Sequence, residues 1–195
     1  MHHLLNKSVF FIKEHKGILK ASNSYDIADP ESGEVIMNCR EDSLGIITKL
    51  LRFSKYKRMT PFDISIKTPE GEQILRIKRG ISLFLSKVRV YNEQDELIGL
   101  FKQKMFAIGG AFRVLDENEV EQCELKGKWT SWEFSFNKDG QQLALVTKKW
   151  AGLGKELFTS ADNYVLQIND VIAKDDDLRQ LIMAAVMCID MVLKE

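Results

Sequence analysis

The chain has 195 residues, 45% hydrophobic and 29% charged, with 28 Lys+Arg balancing 28 Asp+Glu. That length suits one domain, spanning 1–195, with its own core, and the composition excludes a disordered or collagen-like chain. A formal charge of zero argues against DNA or RNA as a ligand, yet residues 1–104 carry 18 Lys+Arg against 13 Asp+Glu and residues 105–195 carry 10 against 15, so one local basic face is expected.

The opening stretch MHHLLNKSVFFIKEHKG has neither an apolar run of signal-peptide length nor a small-residue cleavage site, so no export signal is expected. His2, His3 and His15 lie there without Cys, Asp or Glu at metal-ligand spacing, and no metal is expected on them. From Ser8 onward the pattern is one of short strands, beginning with SVFFI and GILKA. SYDIADPESGEVIMNCR places turn formers Pro30, Ser32 and Gly33 between apolar runs, the signature of a hairpin.

The next segment, Asp42 to Met59, departs from strand spacing. Leu44, Ile47, Leu50 and Leu51 recur at helical intervals, which predicts a short amphipathic helix near residues 43–54. It runs into Lys49, Arg52, Lys55, Lys57 and Arg58 with no acid among them. Such a segment, with Phe53, Tyr56 and Met59 interleaved, suits an anionic phospholipid surface; the alternatives are a solvated connector packed by its apolar side and a protein-binding patch.

Strand alternation then resumes and continues through KVRVYNEQDELIGLF, FRVLDENEVEQCEL and WEFSFNKDGQQLALVTKKW. FDISIKTPEGEQILRIKR turns at Pro69, Glu70 and Gly71, and later turn centres fall near Asp95, Asn118 and Asp139. With Gly33 these make five consecutive hairpins. Phe62, Ile64 and Ile66 alternate with Asp63, Ser65 and Lys67, and Trp132, Phe134 and Phe136 with Glu133, Ser135 and Asn137, so one face of each strand is apolar and the other wet. About eleven or twelve strands of this kind predict a mainly β fold, a closed antiparallel barrel or a sandwich.

The chain ends in LRQLIMAAVMCIDMVLKE, with nine apolar residues in a row from Leu181 to Ile189. Three aspartates, Asp175 to Asp177, precede it and suit the partial positive charge of a helix N-terminus. A helix over 178–193 would be about 24 Å long at ~1.5 Å per residue, short of the ~30 Å hydrocarbon core of a bilayer. A barrel of about twelve strands is in turn hollow unless something about 10 Å across fills it, which is the width of an α-helix. Leu181, Ala185, Val186, Ile189 and Asp190 are therefore expected on an internal plug, with Asp190 near a barrel mouth.

Cys39, Cys123 and Cys188 are odd in number and widely spaced, which reads as buried thiols of a cytoplasmic protein. FTSAD and CELKG lack a nucleophile elbow, and Gly109-Gly110 is no phosphate loop, so neither an enzyme nor a cofactor is expected.

Lys148, Trp150, Gly152, Glu156, Phe158 and Thr159, followed by Ala161, Asp162, Asn163 and Tyr164 and then by Ile189, Asp190 and Glu195, resemble the C-terminal part of the phospholipid scramblase family. That family is grouped with the tubby C-terminal domain and the plant LURP-one-related proteins. The resemblance implies a closed barrel of about twelve strands around a central hydrophobic C-terminal α-helix, and an association with phospholipid movement under calcium control. The calcium loop departs from the family pattern. Counted from Ser160, its alternate positions are Ser160, Asp162, Tyr164, Leu166 and Ile168 and its last is Val171, with Asn163 beside Asp162; Asp162 is the one carboxylate among these six positions, so no tight calcium site is expected. The cysteines do not cluster into a palmitoylated stretch. The expectation is a monomeric, non-enzymatic, scramblase-related protein, cytoplasmic or peripheral to a membrane, with an interaction module of unknown protein partner as the alternative.

Overall fold

The computed structural model describes residues 1–15, 24–41, 60–81, 86–104, 111–128, 132–148 and 163–193, with the backbone alone for Lys128 and 190–193. The expected strand GILKA and the expected amphipathic helix near 43–54 lie outside the described residues. Twelve strands follow in order: β1 (Val9–Glu14), β2 (Ser24–Ala28), β3 (Val35–Glu41), β4 (Phe62–Lys67), β5 (Gln73–Arg79) and β6 (Lys87–Tyr91), then β7 (Leu97–Gln103), β8 (Ala111–Asp116), β9 (Glu121–Lys128), β10 (Glu133–Lys138), β11 (Gln141–Thr147) and β12 (Asn163–Ile168). Each pairs antiparallel with its sequence neighbours, and β1 closes the ring on β12 through Phe10↔Leu166 and Ile12↔Tyr164. Closure leaves no strand edge open for pairing with another chain.

The five expected hairpins are the five tight connections at one end of this ring. Their turns need backbone with positive φ, which glycine supplies at Gly33 and Gly71 (φ 73° and 97°) and Asp95, Glu119 and Asp139 supply at 60°, 63° and 50°. Asp and Asn side chains fold these turns locally: Asn92 Oδ1 accepts from the Gln94 and Glu96 N–H groups, and Asp116 Oδ1 from those of Asn118 and Val120.

The lumen is filled by helix α1 (Leu178–Leu193), which enters from the tight-turn end and runs toward the opposite mouth. Every residue from Leu181 to Ile189 is buried, in one cluster with inward-facing Phe10, Ile12, Ile64, Ile77, Phe134 and Tyr164. Leu181, Ala185, Val186 and Ile189 thus lie in the core as a plug requires, whereas the Asp190 side chain is outside the described residues. Asp176 Oδ1 accepts from the Leu178 N–H at the helix start, where the aspartate run was expected to cap it.

Two glycines make room for this packing. A Cβ on Gly99 would press into the Leu115 carbonyl oxygen and come within 2.8 Å of Leu181 Cδ2, and a Cβ on Gly127 would come within 2.6 Å of Phe134 Cγ. Gly99 therefore lets the plug approach the wall, and Gly127 leaves space for an aromatic ring. Outside the barrel, Phe11, Ala28 and Val165 form a second buried apolar cluster across β1, β2 and β12.

Arg179, at the start of the helix, is 1% exposed. It clamps the tight-turn end, donating to the carbonyl oxygens of Leu5 (2.9 Å), Lys7 (2.6 Å), Ile172 (3.2 Å) and Asn6 (3.4 Å). Its charge is satisfied by backbone that would otherwise be buried without partners. Among the described residues no helix is long and apolar enough to cross a membrane.

Candidate functional site

An antiparallel meander sends alternate connections to opposite ends, and here the two ends differ in length and in charge. The five hairpin connections together with residues 169–177 carry 15 Asp+Glu and one Lys. The six connections at the other mouth (15–23, 42–61, 80–86, 104–110, 129–132 and 148–162) carry 11 Lys+Arg against 3 Asp+Glu. The polarity seen along the chain therefore sorts with the end at which each connection joins its strands. Lys49, Arg52, Lys55, Lys57 and Arg58 lie outside the described residues, but Glu41 and Thr60, which flank their connection, are at the basic mouth.

The described rim of that mouth is tied down. Arg40 binds Asp26, donates to Asn38 Oδ1 at 3.1 Å and to the Tyr25 carbonyl, while His15 Nε2 lies 2.6 Å from Asp26 Oδ2. Burial pushes the Asp26 carboxyl up, but the hydrogen bonds from Arg40 and His15 outweigh it and hold it below its ordinary value. Glu124 behaves alike: burial raises it, and the Lys104 and Lys126 ammonium groups bring it down overall. These carboxylates stay ionised and fix the rim.

Arg79 lies on the inward face of β5 at the same mouth and is 5% exposed. Its Nη2 donates to the Thr60 carbonyl at 2.6 Å, its Nη1 to Ser86 Oγ at 3.3 Å, and its guanidinium lies 4.7 Å from the Phe62 ring centroid. It thereby fastens the ends of two connections, 42–61 and 80–86, to each other. Strand alternation puts it on the face of Leu75 and Ile77, opposite the solvent-facing Arg76 and Lys78, and the register Phe62↔Arg79 agrees.

Trp132 was expected in line with Phe134 and Phe136 on an extended strand. It instead precedes β10 with φ 49°, partly buried at the rim, stacked on Tyr164 at 5.9 Å and edge-on to Phe134 at 6.1 Å. Lys148 Nζ sits 3.7 Å over its ring. This joins the resemblance residues Lys148 and Tyr164 at one place.

Those contacts also bear on calcium. Ser160 and Asp162 lie outside the described residues, and Asn163 begins β12 as a buried side chain. Tyr164, Leu166 and Ile168, the next alternate positions of a twelve-residue loop, point into the core at 2%, 0% and 2% exposure. Side chains packed there cannot also turn oxygen toward a cation, so the residues present do not fit such a loop. Among the described residues no group of three or more His, Cys, Asp or Glu could hold a metal ion.

The scramblase family model matches residues 18–195. The chain belongs to the scramblase family. A crystal structure of a protein from Arabidopsis thaliana is similar in fold to this scramblase-family chain, with a TM-score of 0.53 and 11% identity over 93% of this chain and 90% of that one. A search of curated proteins found no match. The expected architecture, twelve strands closed around a hydrophobic C-terminal helix, is the one observed.

Proposed function

We propose that this scramblase-family chain is a non-enzymatic, cytoplasmic protein, a single domain acting as a monomer, that binds anionic phospholipid at a membrane surface through Lys49, Arg52, Lys55, Lys57 and Arg58. The charge of the connections carries the reading: 11 Lys+Arg against 3 Asp+Glu in the connections at one mouth, and 15 Asp+Glu against one Lys at the other end. A bilayer surface rich in anionic lipid attracts the first and repels the second, so the field orients the barrel as well as holding it. Five basic residues at about 1 kcal/mol each give weak, salt-sensitive and reversible attachment. Binding needs no calcium, since the loop keeps Asp162 as the one carboxylate among its six candidate positions.

Co-sedimentation with vesicles tests this. The native chain is expected to pellet with phosphatidylserine-containing vesicles and to stay soluble with phosphatidylcholine alone. Changing Lys55, Lys57 and Arg58 to Glu removes three attractions and adds three repulsions, a loss of more than about 3 kcal/mol, or over a hundredfold in affinity. Equal binding to neutral and anionic vesicles would sink the reading, and a micromolar calcium affinity by calorimetry would sink its calcium-free form. A protein-binding module is the second reading, supported by Val120 and Val171, which are 57% and 51% exposed at the acidic end. It gains if Val120→Glu and Val171→Glu abolish a cellular association that the basic-segment variant keeps.

A further inference from the structure

The connection between β5 and β6 carries no charge and reads Gly80-Ile81-Ser82-Leu83-Phe84-Leu85-Ser86. It stands at the basic mouth, between the connections holding Lys49 to Arg58 and Lys104. Ile81 is 76% exposed, more than any other large apolar side chain among the described residues. Its neighbour Gly80 faces open space, for a Cβ there would meet nothing within 4 Å. This exposure is not that of a loose end. Arg79 holds Ser86 Oγ at 3.3 Å and the Thr60 carbonyl at 2.6 Å, while Gln103 accepts from the Ser86 N–H at 3.2 Å and donates its own N–H to the Ser86 carbonyl at 3.0 Å. The stem is fixed and the apolar residue leaves it outward.

We infer that Ile81, at the head of this apolar connection, enters the interfacial region of an anionic bilayer when the basic mouth docks on it; the inference rests on the phospholipid reading above. An exposed apolar side chain at the mouth whose connecting segments are rich in Lys and Arg matches a membrane interface, where charges meet headgroups and the side chain reaches the acyl boundary. The charges alone hold the protein at the surface, and the inserted side chain fixes its depth and slows its departure. The exposed apolar residues of the opposite end, Val120 and Val171 among them, stand among carboxylates that an anionic surface repels, so they remain in water.

Selective labelling makes this testable, because Cys39, Cys123 and Cys188 are all buried and a thiol introduced at an exposed position reacts first. Ile81→Cys, Val120→Cys and Val171→Cys are each labelled with an environment-sensitive fluorophore and mixed with phosphatidylcholine vesicles with and without phosphatidylserine. The label at 81 is expected to shift to the blue and to be quenched by nitroxide-bearing lipid only on anionic vesicles, with no change at 120 or 171. Ile81→Asn is expected to keep the fold by circular dichroism and to weaken vesicle binding about tenfold. If the protein pellets with anionic vesicles while the label at 81 stays in water, the inference fails and surface attachment through the basic segment survives. A response at 120 or 171 instead of 81 reverses the docking face and refutes it. No pelleting with any vesicle removes the phospholipid reading and this inference with it.

Discussion

Substituting Gly99 by Ala probes the contact between plug and wall. In a strand interior, exchanging Gly for Ala ordinarily stabilises by about 0.5–1 kcal/mol, because the unfolded chain loses freedom. Here the new methyl would press on the Leu115 carbonyl oxygen and lie 2.8 Å from Leu181 Cδ2, where ordinary contact begins at 3.4 Å. Backbone on one side and a buried leucine on the other leave it no exit, so wall and helix must separate by several tenths of an ångström. Overpacking of this kind costs about 1–3 kcal/mol and should outweigh the entropic gain. Leu181→Ala alone, at a site 3% exposed, should cost about 2–5 kcal/mol. Because it also removes one of the two clashing partners, the double variant should be less unstable than the two changes summed, by about 1 kcal/mol. Urea unfolding followed by tryptophan fluorescence measures this, with midpoints for Gly99→Ala lower by about 0.5–1 M at an unchanged slope of about 2–3 kcal/mol per molar. A neutral or stabilising Gly99→Ala, or strict additivity with Leu181→Ala, would mean that the helix does not press on β7.

Replacing Arg179 by Met should strip four carbonyl oxygens of their donor, those of Leu5 and Ile172 in buried bonds and those of Asn6 and Lys7 in partly buried ones, and cost roughly 3 kcal/mol or more, read as a lowered unfolding midpoint. Burial pushes the Cys123 and Cys188 thiols up to about 12, so both should stay silent toward an aromatic disulfide reagent at neutral pH until denaturant is added, and stability should fall as pH rises from about 9, where the unfolded thiols ionise and the folded ones do not. The Lys7 ammonium, 2.6 Å from Asp29 Oδ2, and the Ser32 and Glu31 N–H groups hold the Asp29 carboxyl at about 2 against 3.8 unperturbed. Its folded value lies below its unfolded one, so its contribution is present above about pH 3.8 and is lost as pH falls toward 2; Asp29→Asn should flatten acid unfolding in that window.

The barrel was readable because its signals are local. Alternation such as Phe62-Ile64-Ile66, turn residues at Gly33 and Gly71, and an oily segment too short for a bilayer each follow from a few adjacent residues. What escaped depends on register or topology. Alternation puts Arg79 on the face of Leu75 and Ile77, but the groups it ties together, the Thr60 carbonyl and Ser86 Oγ, belong to connections far apart in sequence. Gly99 and Gly127 matter only because of what stands opposite them. Trp132 broke its pattern by a positive φ that no neighbouring residue announces. The charge polarity showed in the sequence as a modest imbalance between halves, and it sharpened only once the meander sorted the connections into two ends. The basic segment Lys49 to Arg58 was legible as chemistry and lies outside the described residues; the strand ends on either side of it, Glu41 and Phe62, are at that mouth.

The most hydrophobic segment, buried in the lumen, holds the fold together and is not itself the membrane contact of the proposed function. Amide hydrogen exchange of residues 181–189, measured in lipid-free buffer and again with anionic vesicles, tests it directly. Protection at the level of global unfolding in buffer, unchanged by vesicles, is the predicted result. Rapid exchange in buffer with protection appearing only on vesicles would contradict it and make the helix a membrane anchor.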